Sequence, residues 1–370
     1  MKKISVIGVG KLGLAFGLTL EKAGYDVLGV DINPEYIESL NAKSYISDEP
    51  GISSYLQDST HFTVTTDLTE AVVHSDILFV IVATPSLSNG RYDHSQIESL
   101  VTRLENGARH GSHKHFVVCC TTMPGYCDTL ESRLGALNYT VSYNPEFIAQ
   151  GTILKNQARP DMILIGEGSG QAGDILQEIY EQHTENNPRI CRMSRTEAEL
   201  TKLALNCFLT TKIAYANMVG DIALSLGGSP EVVLGAIGSD SRIGNKYLGY
   251  GYGYGGPCFP RDNRALALCA GDVGKEALIS VASDESNKDH LRNQVAHYIK
   301  THPKKSIIKF DFVTYKPEST LLVESQQLAF AVELAKAGYP VEITERSCVV
   351  KEVNEQYGEL FTYVEREENV

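Results

Sequence analysis

The amino-acid sequence predicts an α/β protein in three parts, of which the first is a doubly wound parallel sheet. Across residues 1–192, short apolar runs alternate with helical patterns, as parallel strands joined by crossover helices do. A long helical pattern then opens at Ser194 and runs to Leu226, which predicts an all-α domain with one long helix over residues 193–295. A shorter strand–helix–strand pattern predicts a small, truncated α/β domain over residues 296–370.

The predicted elements follow from where the apolar runs begin and end. In the first domain we expect strands at residues 4–7, 26–30, 62–65, 77–82, 115–120, 139–142 and 162–165. Helices should lie near residues 34–41, 67–73, 93–106, 125–133 and 171–182, with 187–191 as a crossing segment. A helical bundle should continue to about residue 290, followed by a strand at 306–313, a helix at 323–337 and a strand at 340–344.

A glycine-rich turn, Gly8-Val9-Gly10-Lys11-Leu12-Gly13, follows the first strand and opens the first helix. This arrangement is typical of a Rossmann-like dinucleotide site, in which the three glycines allow the tight turn, the approach of the pyrophosphate and close helix packing. Asp31 ends the next strand, where an acid accepts a hydrogen bond from a ribose 2′-hydroxyl. NAD is the predicted cofactor, because Asp31 would repel the 2′-phosphate of NADP and residues 32–34 offer no arginine to hold it.

Composition limits the kind of partner. A net charge of −13 argues against nucleic acid or an anionic membrane as the main partner, and no apolar run is long enough to span a bilayer. The N-terminus lacks a signal peptide, so we expect a cytoplasmic protein.

The eight cysteines show no C-x-x-C and suit a reducing compartment. No metal site is predicted, since His110, His113 and His115 fall in a polar segment that favours a solvated turn.

Three short segments follow predicted strands and should lie at the ligand-binding edge of the sheet. They are Ala83-Thr84-Pro85, Thr121-Thr122-Met123-Pro124-Gly125 and Asn144-Pro145-Glu146-Phe147. Taken singly, each threonine could be a turn or cap residue and Glu146 a solvated loop charge.

The middle of the chain carries the most unusual stretch, a loop with six glycines between residues 244 and 256. Pro257 and Pro260 bracket Cys258 just before a helical pattern that begins near Asp262. Unpaired N–H groups at a helix start favour the thiolate form, so Cys258 is a candidate nucleophile. A buried cysteine in a tight turn is the alternative.

The loop resembles a known family signature. Residues 242–262, R-I-G-N-K-Y-L-G-Y-G-Y-G-Y-G-G-P-C-F-P-R-D, are similar to the signature of the UDP-glucose/GDP-mannose dehydrogenase family. The three strand-end segments and the helix A-E-L-T-K-L-A-L-N-C-F-L-T-T-K-I-A-Y-A-N resemble the same family in the same order. The resemblance covers nearly the whole chain, closely to residue 290 and weakly beyond it.

The resemblance implies roles for individual residues. Cys258 would be the covalent nucleophile, and Lys202 with Asn206 would contact the oxygen on the reacting sugar carbon. Thr122 and Asp262 would hold the catalytic water.

Glu146 would activate that water. The implied cofactor-binding residues are Gly8, Gly10, Lys11, Leu12, Gly13, Asp31, Thr84, Pro85 and Thr122. The implied substrate-binding residues are Phe147, Lys202, Asn206, Arg242, Tyr247, Leu248, Gly255 and Lys316. Arg242 would reach the substrate of a neighbouring subunit, and the long helix would form the core of a homodimer.

Three features depart from the family pattern. Gln150 stands where the family commonly has a second glutamate, and an amide can neither carry the charge nor take the proton. After Tyr315-Lys316-Pro317, the family's arginine is replaced by Val323, and the chain ends in the acidic segment 364–370. Gln150 puts in question any step that needs two carboxylates, and the other two departures weaken the implied role of the last domain.

The expected activity is a four-electron oxidation of UDP-glucose at C6, with two NAD consumed for each sugar. GDP-mannose and UDP-N-acetylhexosamines remain open as substrates. A homologue that binds a nucleotide sugar without completing the oxidation is one alternative. A two-electron hydroxyacid or 6-phosphogluconate-type dehydrogenase, which needs no cysteine, is another.

Overall fold

The structure, a computed structural model, describes residues 1–107, 111–148, 150–304, 307–317 and 319–366. His110, the start of the predicted strand at 306 and most of the acidic segment 364–370 lie outside these residues. The chain forms two compact units, Met1–Lys202 and Leu203–Val370, which are described separately. The division falls inside one long helix. The three-domain boundaries at 192 and 295 stay a prediction, and position 295 lies within a continuous helix.

The first unit contains one eight-stranded sheet with helices between its strands. Its strands are β1 (Lys3–Ile7), β2 (Asp26–Val30), β3 (Phe62–Thr65), β4 (Ile77–Val80), β5 (Lys114–Val118), β6 (Tyr139–Tyr143), β7 (Met162–Gly166) and β8 (Arg189–Met193). Its helices are α1 (Lys11–Lys22), α2 (Pro34–Asn41), α3 (Ile52–Asp58), α4 (Leu68–His74), α5 (Ser95–Asn106), α6 (Tyr126–Leu134), α7 (Ile153–Ala158) and α8 (Gly170–His183), with a 3-10 turn at Gly135–Leu137.

The strand order β3-β2-β1-β4-β5-β6-β7-β8 confirms the predicted doubly wound sheet. Two details differ from the prediction. Strand β7 runs antiparallel to β6, so the sheet is parallel only from β3 to β6 and again between β7 and β8. The predicted crossing segment 187–191 is instead the edge strand β8, whose polar residues need only one neighbouring strand.

Both faces of this sheet are buried, which explains the uninterrupted apolar runs. One face packs Ile4, Val6 and Val27 against α1 and α8. The other packs Ile7, Val80 and other strand residues against α4, α5 and α6. The carboxyl ends of β1, β2, β4, β5 and β6 therefore form one edge supported on both sides.

The second unit contains the rest of helix α9 (Arg195–Ser225), which begins in the first unit, followed by further helices and a small sheet. These elements are α10 (Pro230–Gly238), α11 (Phe259–Asp272), α12 (Leu278–Thr301), β9 (Ile308–Phe310), α13 (Gln326–Lys336), β10 (Val341–Glu345), α14 (Ser347–Tyr357), a 3-10 turn at Gly358–Leu360 and β11 (Thr362–Glu365). The sheet order is β11-β10-β9, all parallel. The predicted strand–helix–strand pattern is present, and α14 with β11 extends it. Helix α12 continues eleven residues past the predicted end at 290.

Candidate active site

The glycine turn between β1 and α1 has the geometry of a phosphate cradle. Gly8 has φ +90°, and a Cβ there would lie 2.4 Å from the carbonyl oxygen of Ile81. A Cβ on Gly13 would lie 1.9 Å from the carbonyl oxygen of Gly8. Nothing lies within 4 Å of a Cβ built on Gly10, and no side chain caps the start of α1 there. The turn therefore offers bare backbone at a helix N-terminus, which fits a pyrophosphate.

The residues around this turn also fit a dinucleotide. Asp31 follows β2, and its Oδ1 accepts the backbone N–H of Asn33 at 3.2 Å. Lys11 and Leu12 lie in the first turn of α1, and the Lys11 ammonium is 3.7 Å from the Asp48 carboxylate. In doubly wound sheets an acid at the end of this strand accepts a hydrogen bond from the ribose of NAD, so Asp31 stays the predicted ribose-binding residue.

The ends of β4 and β5 are tied to each other. Thr84, which precedes Pro85, donates its hydroxyl to the carbonyl of Thr121 at 2.8 Å. The neighbouring Thr122 is fully buried and donates its hydroxyl to the Glu199 carboxylate, also at 2.8 Å. No sequence pattern assigned a role to Glu199, which is equally buried.

Beyond β6, the structure brings Glu146, Phe147 and Lys202 together. The Lys202 ammonium donates to the carbonyl of Glu146 at 2.5 Å and lies 4.2 Å from the centre of the Phe147 ring. The Glu146 carboxyl receives a long hydrogen bond, 3.4 Å, from the hydroxyl of Tyr180. Burial raises the pKa of Glu146 to about 7, although the nearby Lys202 charge opposes that rise. A carboxyl with this pKa is suited to exchange protons near neutral pH.

The loop after Glu146 contains the substitution Gln150. The buried carboxylate of Glu49 accepts the backbone N–H of Gly151 through both oxygens, at 2.8 and 2.7 Å. This contact holds the backbone beside Gln150. Sequence patterns gave no indication of it, because Glu49 is about 100 residues away.

In the second unit, Cys258 occupies the N-cap of α11 and is exposed. The helix starts at Phe259 rather than near Asp262, so the thiol lies directly at the helix start. Asp262 donates its backbone N–H to the carbonyl of Cys258 at 2.9 Å, and its carboxylate accepts the side-chain amide of Asn206 at 2.6 Å. Asn206, Asp262 and the backbone of Cys258 are thus connected.

The glycine loop is held by side chains of α12, one of which is in turn held by α9. The carbonyl of Gly251 accepts hydrogen bonds from His290 at 2.7 Å and from Gln294 at 2.9 Å. The other ring nitrogen of His290 lies 2.9 Å from Asp221. Asn287 bonds both the N–H and the carbonyl of Tyr254, each at 2.9 Å. Sequence reasoning missed these anchors, since each joins positions about 30–70 apart.

The remaining predicted substrate-binding residues have different surroundings. The Arg242 side chain is 86% exposed and forms an ion pair with Asp240. Tyr247 is exposed, with φ +60°, whereas Leu248 is buried against Ala216 and Leu234.

Gly255 lies against the backbone of Glu324, since a Cβ there would be 2.2 Å from that carbonyl oxygen. Lys316 places its ammonium 5.6 Å from the Tyr315 ring centre. At the departure Val323, the backbone carbonyl accepts the N–H of Gly256 at 2.9 Å. This contact needs no particular side chain.

The predicted histidine turn is wrong for one of its members. His115 lies in β5 and is buried, and burial lowers its pKa. His113 contacts the hydroxyl of Thr140 at 2.9 Å, and His110 lies outside the described residues. Among the residues that the structure describes, no three His, Cys, Asp or Glu side chains are grouped to hold a metal. Within the same residues, no helix is long and apolar enough to cross a membrane.

Comparison with known proteins adds two family matches. Residues 2–184 match the NAD-binding domain of the UDP-glucose/GDP-mannose dehydrogenase family, and residues 196–289 match its central domain. NAD is therefore the cofactor, in agreement with the glycine turn and Asp31.

Individual relatives agree with these matches. A UDP-glucose 6-dehydrogenase of Pseudomonas aeruginosa is 30% identical over 354 residues, 92% of this chain and 78% of the relative. A GDP-mannose 6-dehydrogenase of Pseudomonas putida is 29% identical over 355 residues, 92% of this chain and 80% of the relative. The structure of a UDP-glucose dehydrogenase from Pyrobaculum islandicum aligns with a TM-score of 0.88 at 30% identity, covering 99% of this chain and 86% of that one. The chain belongs to the UDP-glucose/GDP-mannose dehydrogenase family of NAD-dependent oxidoreductases.

Proposed function

We propose that the protein oxidises the C6 alcohol of a nucleotide sugar to a carboxylate through a covalent intermediate on Cys258. The observation that carries this proposal is the exposed thiol of Cys258 at the start of α11. Asp262 lies one helical turn after it and is hydrogen-bonded to Asn206 of α9. UDP-glucose is the preferred substrate because the segments N-P-E-F, K-x-x-x-N and C-F-P-R-D fit that branch best. The similar identity of a GDP-mannose 6-dehydrogenase keeps GDP-mannose as the second candidate.

The proposed chemistry uses the sulfur of Cys258 as the nucleophile. When bound, two NAD molecules in succession would each accept one hydride from C6. After the first oxidation the Cys258 thiolate attacks the aldehyde carbon, forming a C–S bond and a thiohemiacetal oxyanion. The Lys202 ammonium and an Asn206 N–H are proposed to stabilise that oxygen.

Loss of the second hydride converts the thiohemiacetal into a thioester, which water must hydrolyse. Glu146 is proposed to take a proton from the attacking water, and the C–S bond then breaks to return the thiolate of Cys258. Asp262 and Thr122 are proposed to hold the water. Thr122 can do so only as an acceptor, because its hydroxyl hydrogen goes to Glu199.

Assay of the purified protein with UDP-glucose and NAD tests this function. We expect two NADH per sugar and a uronyl adduct on Cys258 detectable by mass spectrometry of the intact chain. Cys258→Ser should abolish both, whereas Cys348→Ser, at another exposed cysteine, should change neither. No NADH with UDP-glucose or GDP-mannose would support a protein that only binds the sugar. One NADH per substrate with full activity of Cys258→Ser would support a two-electron dehydrogenase.

We also propose that the protein is a homodimer that acts in the cytoplasm. In the second unit, one face of α9 exposes Phe208, Tyr215, Met218 and Ile222, at spacings of three, four or seven residues, and the exposed Leu226 follows the helix directly. Several large exposed apolar side chains on one helix face are typical of an interface. A reducing compartment would keep the eight free thiols reduced, Cys258 included.

A further inference from the structure

Glu199 lies in the second turn of α9, and its carboxylate is buried within the first unit. One oxygen accepts the hydroxyl of Thr122 at 2.8 Å and the N–H of Cys127 at 3.0 Å. The other accepts the N–H of Gly125 at 2.6 Å. Three donors on one turn thus converge on a single side chain from a distant helix.

This turn connects β5 to α6, and it has no side-chain cap of its own. Gly125 is the N-cap of α6, with φ +91°, and no side chain hydrogen bond closes the helix start. The Glu199 carboxylate accepts the N–H of Cys127, the second residue of α6, as a serine or aspartate N-cap would. A negative charge at this position is also favoured by the helix dipole.

One turn along the same helix, Lys202 donates to the carbonyl of Glu146 beyond β6. Residues three apart share a helix face, so the start of α9 fixes two loops at once. Those loops lie at the carboxyl ends of β5 and β6, the edge at which doubly wound sheets bind their ligands.

We propose that Glu199 is a positioning residue, which locks the β5–α6 turn into the shape that the bound dinucleotide needs. The inference rests on the proposed function only in taking the carboxyl ends of β5 and β6 as part of the active site. Glutamine at this position would keep the size of the side chain. Its NH2 group would replace one of the two oxygens, so either the N–H of Gly125 or the N–H of Cys127 would face hydrogens in place of an acceptor.

The test is Glu199→Gln in the full-length chain, with NAD and UDP-glucose affinities measured separately by calorimetry. We expect the NAD dissociation constant to rise about tenfold, which corresponds to about 1.4 kcal/mol. The UDP-glucose constant should stay within about twofold, a split that a general loss of structure would not produce.

Glu345 provides the matched control. It is also fully buried, and its carboxylate accepts a threonine hydroxyl, that of Thr314 at 3.2 Å, and the N–H groups of Val313 and Arg346 at 3.2 and 3.0 Å. Glu345→Gln should lower the melting temperature as much as Glu199→Gln while leaving NAD affinity within about twofold of the parent.

Glu199→Asp keeps the charge on a side chain that is shorter by one methylene and should weaken NAD binding less than Glu199→Gln. It also provides the test if Glu199→Gln fails to fold. The inference is wrong if both Glu199 variants bind NAD as the parent does. Because NAD binding needs no turnover, this result stands whether or not the parent oxidises UDP-glucose.

Discussion

Asn206 donates its side-chain amide to the carboxylate of Asp262, with 2.6 Å between Nδ2 and Oδ2, and both side chains are buried. The bond joins α9 to the first turn of α11, where Asp262 lies four residues after Cys258. An ionised carboxylate only accepts hydrogen bonds, so it fixes which end of the Asn206 amide faces it. The second hydrogen on that nitrogen is the one that the proposed mechanism directs to the oxyanion.

Asn206→Asp should therefore destabilise the folded chain mainly when the new carboxyl and that of Asp262 are both ionised. Two buried carboxylates in contact cannot both ionise cheaply, so one takes up a proton at a raised pKa. We expect the free energy of unfolding to fall by about 2 kcal/mol or more at pH 8 and the deficit to shrink towards pH 5. Urea denaturation at the two pH values measures this. Asn293→Asp, also beside carboxylates but exposed, is the control and should change stability by less than about 0.5 kcal/mol. An equal deficit at both pH values would contradict the explanation.

Much of the fold could be predicted from sequence because each buried parallel strand is an apolar run. The edge strand β8 was missed, since Arg189 and Arg192 interrupt its apolar pattern. The reversal of β7 depends on the path of the chain between strands, which leaves no periodic signal.

The candidate site also contains both residues that could be predicted from the sequence and residues that could not. The glycine turn at Gly8 and Gly10 was predictable because its residues lie next to one another in the sequence, and the position of Asp31 was predictable because it ends an apolar strand. The contacts of Glu199 were not predictable, since it acts on a turn 72–77 positions away and the family-like helix pattern contains this glutamate without giving it a role. Motif residues can be identified from their spacing in the sequence. The side chains that position them are identified only from tertiary contacts.

Glu146 should give both activity and stability a pH dependence. Its pKa is raised from 4.5 to about 7 in the folded chain, so between these values the folded state holds a proton that the unfolded chain releases. The free energy of unfolding should therefore fall as pH rises through this window, by at most about 3.5 kcal/mol at about 1.4 kcal/mol per pKa unit. The activity of a base at this position should rise over the same range, because only the carboxylate can accept a proton.

Glu146→Gln should remove both effects. At pH 8 the variant should be more stable than the parent and nearly inactive, and at pH 5 the stability difference should vanish. Thermal denaturation and NADH formation across pH 5–8 measure the two. The exposed Glu38→Gln should follow the parent in both. A Glu146→Gln variant that is active at pH 8 would remove Glu146 as the base.

Gly10 and Gly13 should respond differently to the same added methyl group. Gly13→Ala would place Cβ 1.9 Å from the backbone oxygen of Gly8, so the helix must shift, and we expect a loss of about 1–3 kcal/mol in stability. Gly10→Ala meets nothing within 4 Å and should change stability by less than about 0.5 kcal/mol. Its methyl group would occupy the space that the pyrophosphate needs, so NAD binding should weaken strongly. Denaturation and calorimetry separate the two effects, and unchanged NAD affinity of Gly10→Ala would contradict the assigned cradle.

His290 should be needed for the order of the glycine loop. It is buried, and its two ring nitrogens face only acceptors, the carboxylate of Asp221 and the carbonyl of Gly251. His290→Ala removes one donor from each acceptor, while Gln294 still donates to Gly251 and Tyr250 to Asp221, and it should cost about 1–2 kcal/mol. Amide hydrogen exchange at residues 250–254 should become faster. His297→Ala, at an exposed position on the same helix, should change neither, and normal protection of the loop in His290→Ala would show that other contacts suffice.

Phe208→Asp tests the proposed dimer through the exposed face of α9. Phe208 is 65% exposed in the single chain, and Asp at an interface with twofold symmetry would be desolvated in both copies. Where the two copies lie close to the axis, the new charges would also repel each other. We expect sedimentation analysis to show a dimer for the parent and a monomer for the variant. Val73→Asp, at a 79% exposed position on α4, is the control and should leave the dimer intact. If Phe208→Asp sediments as the parent does, this face of α9 does not form the interface, because a buried unpaired charge costs more than such a contact can absorb.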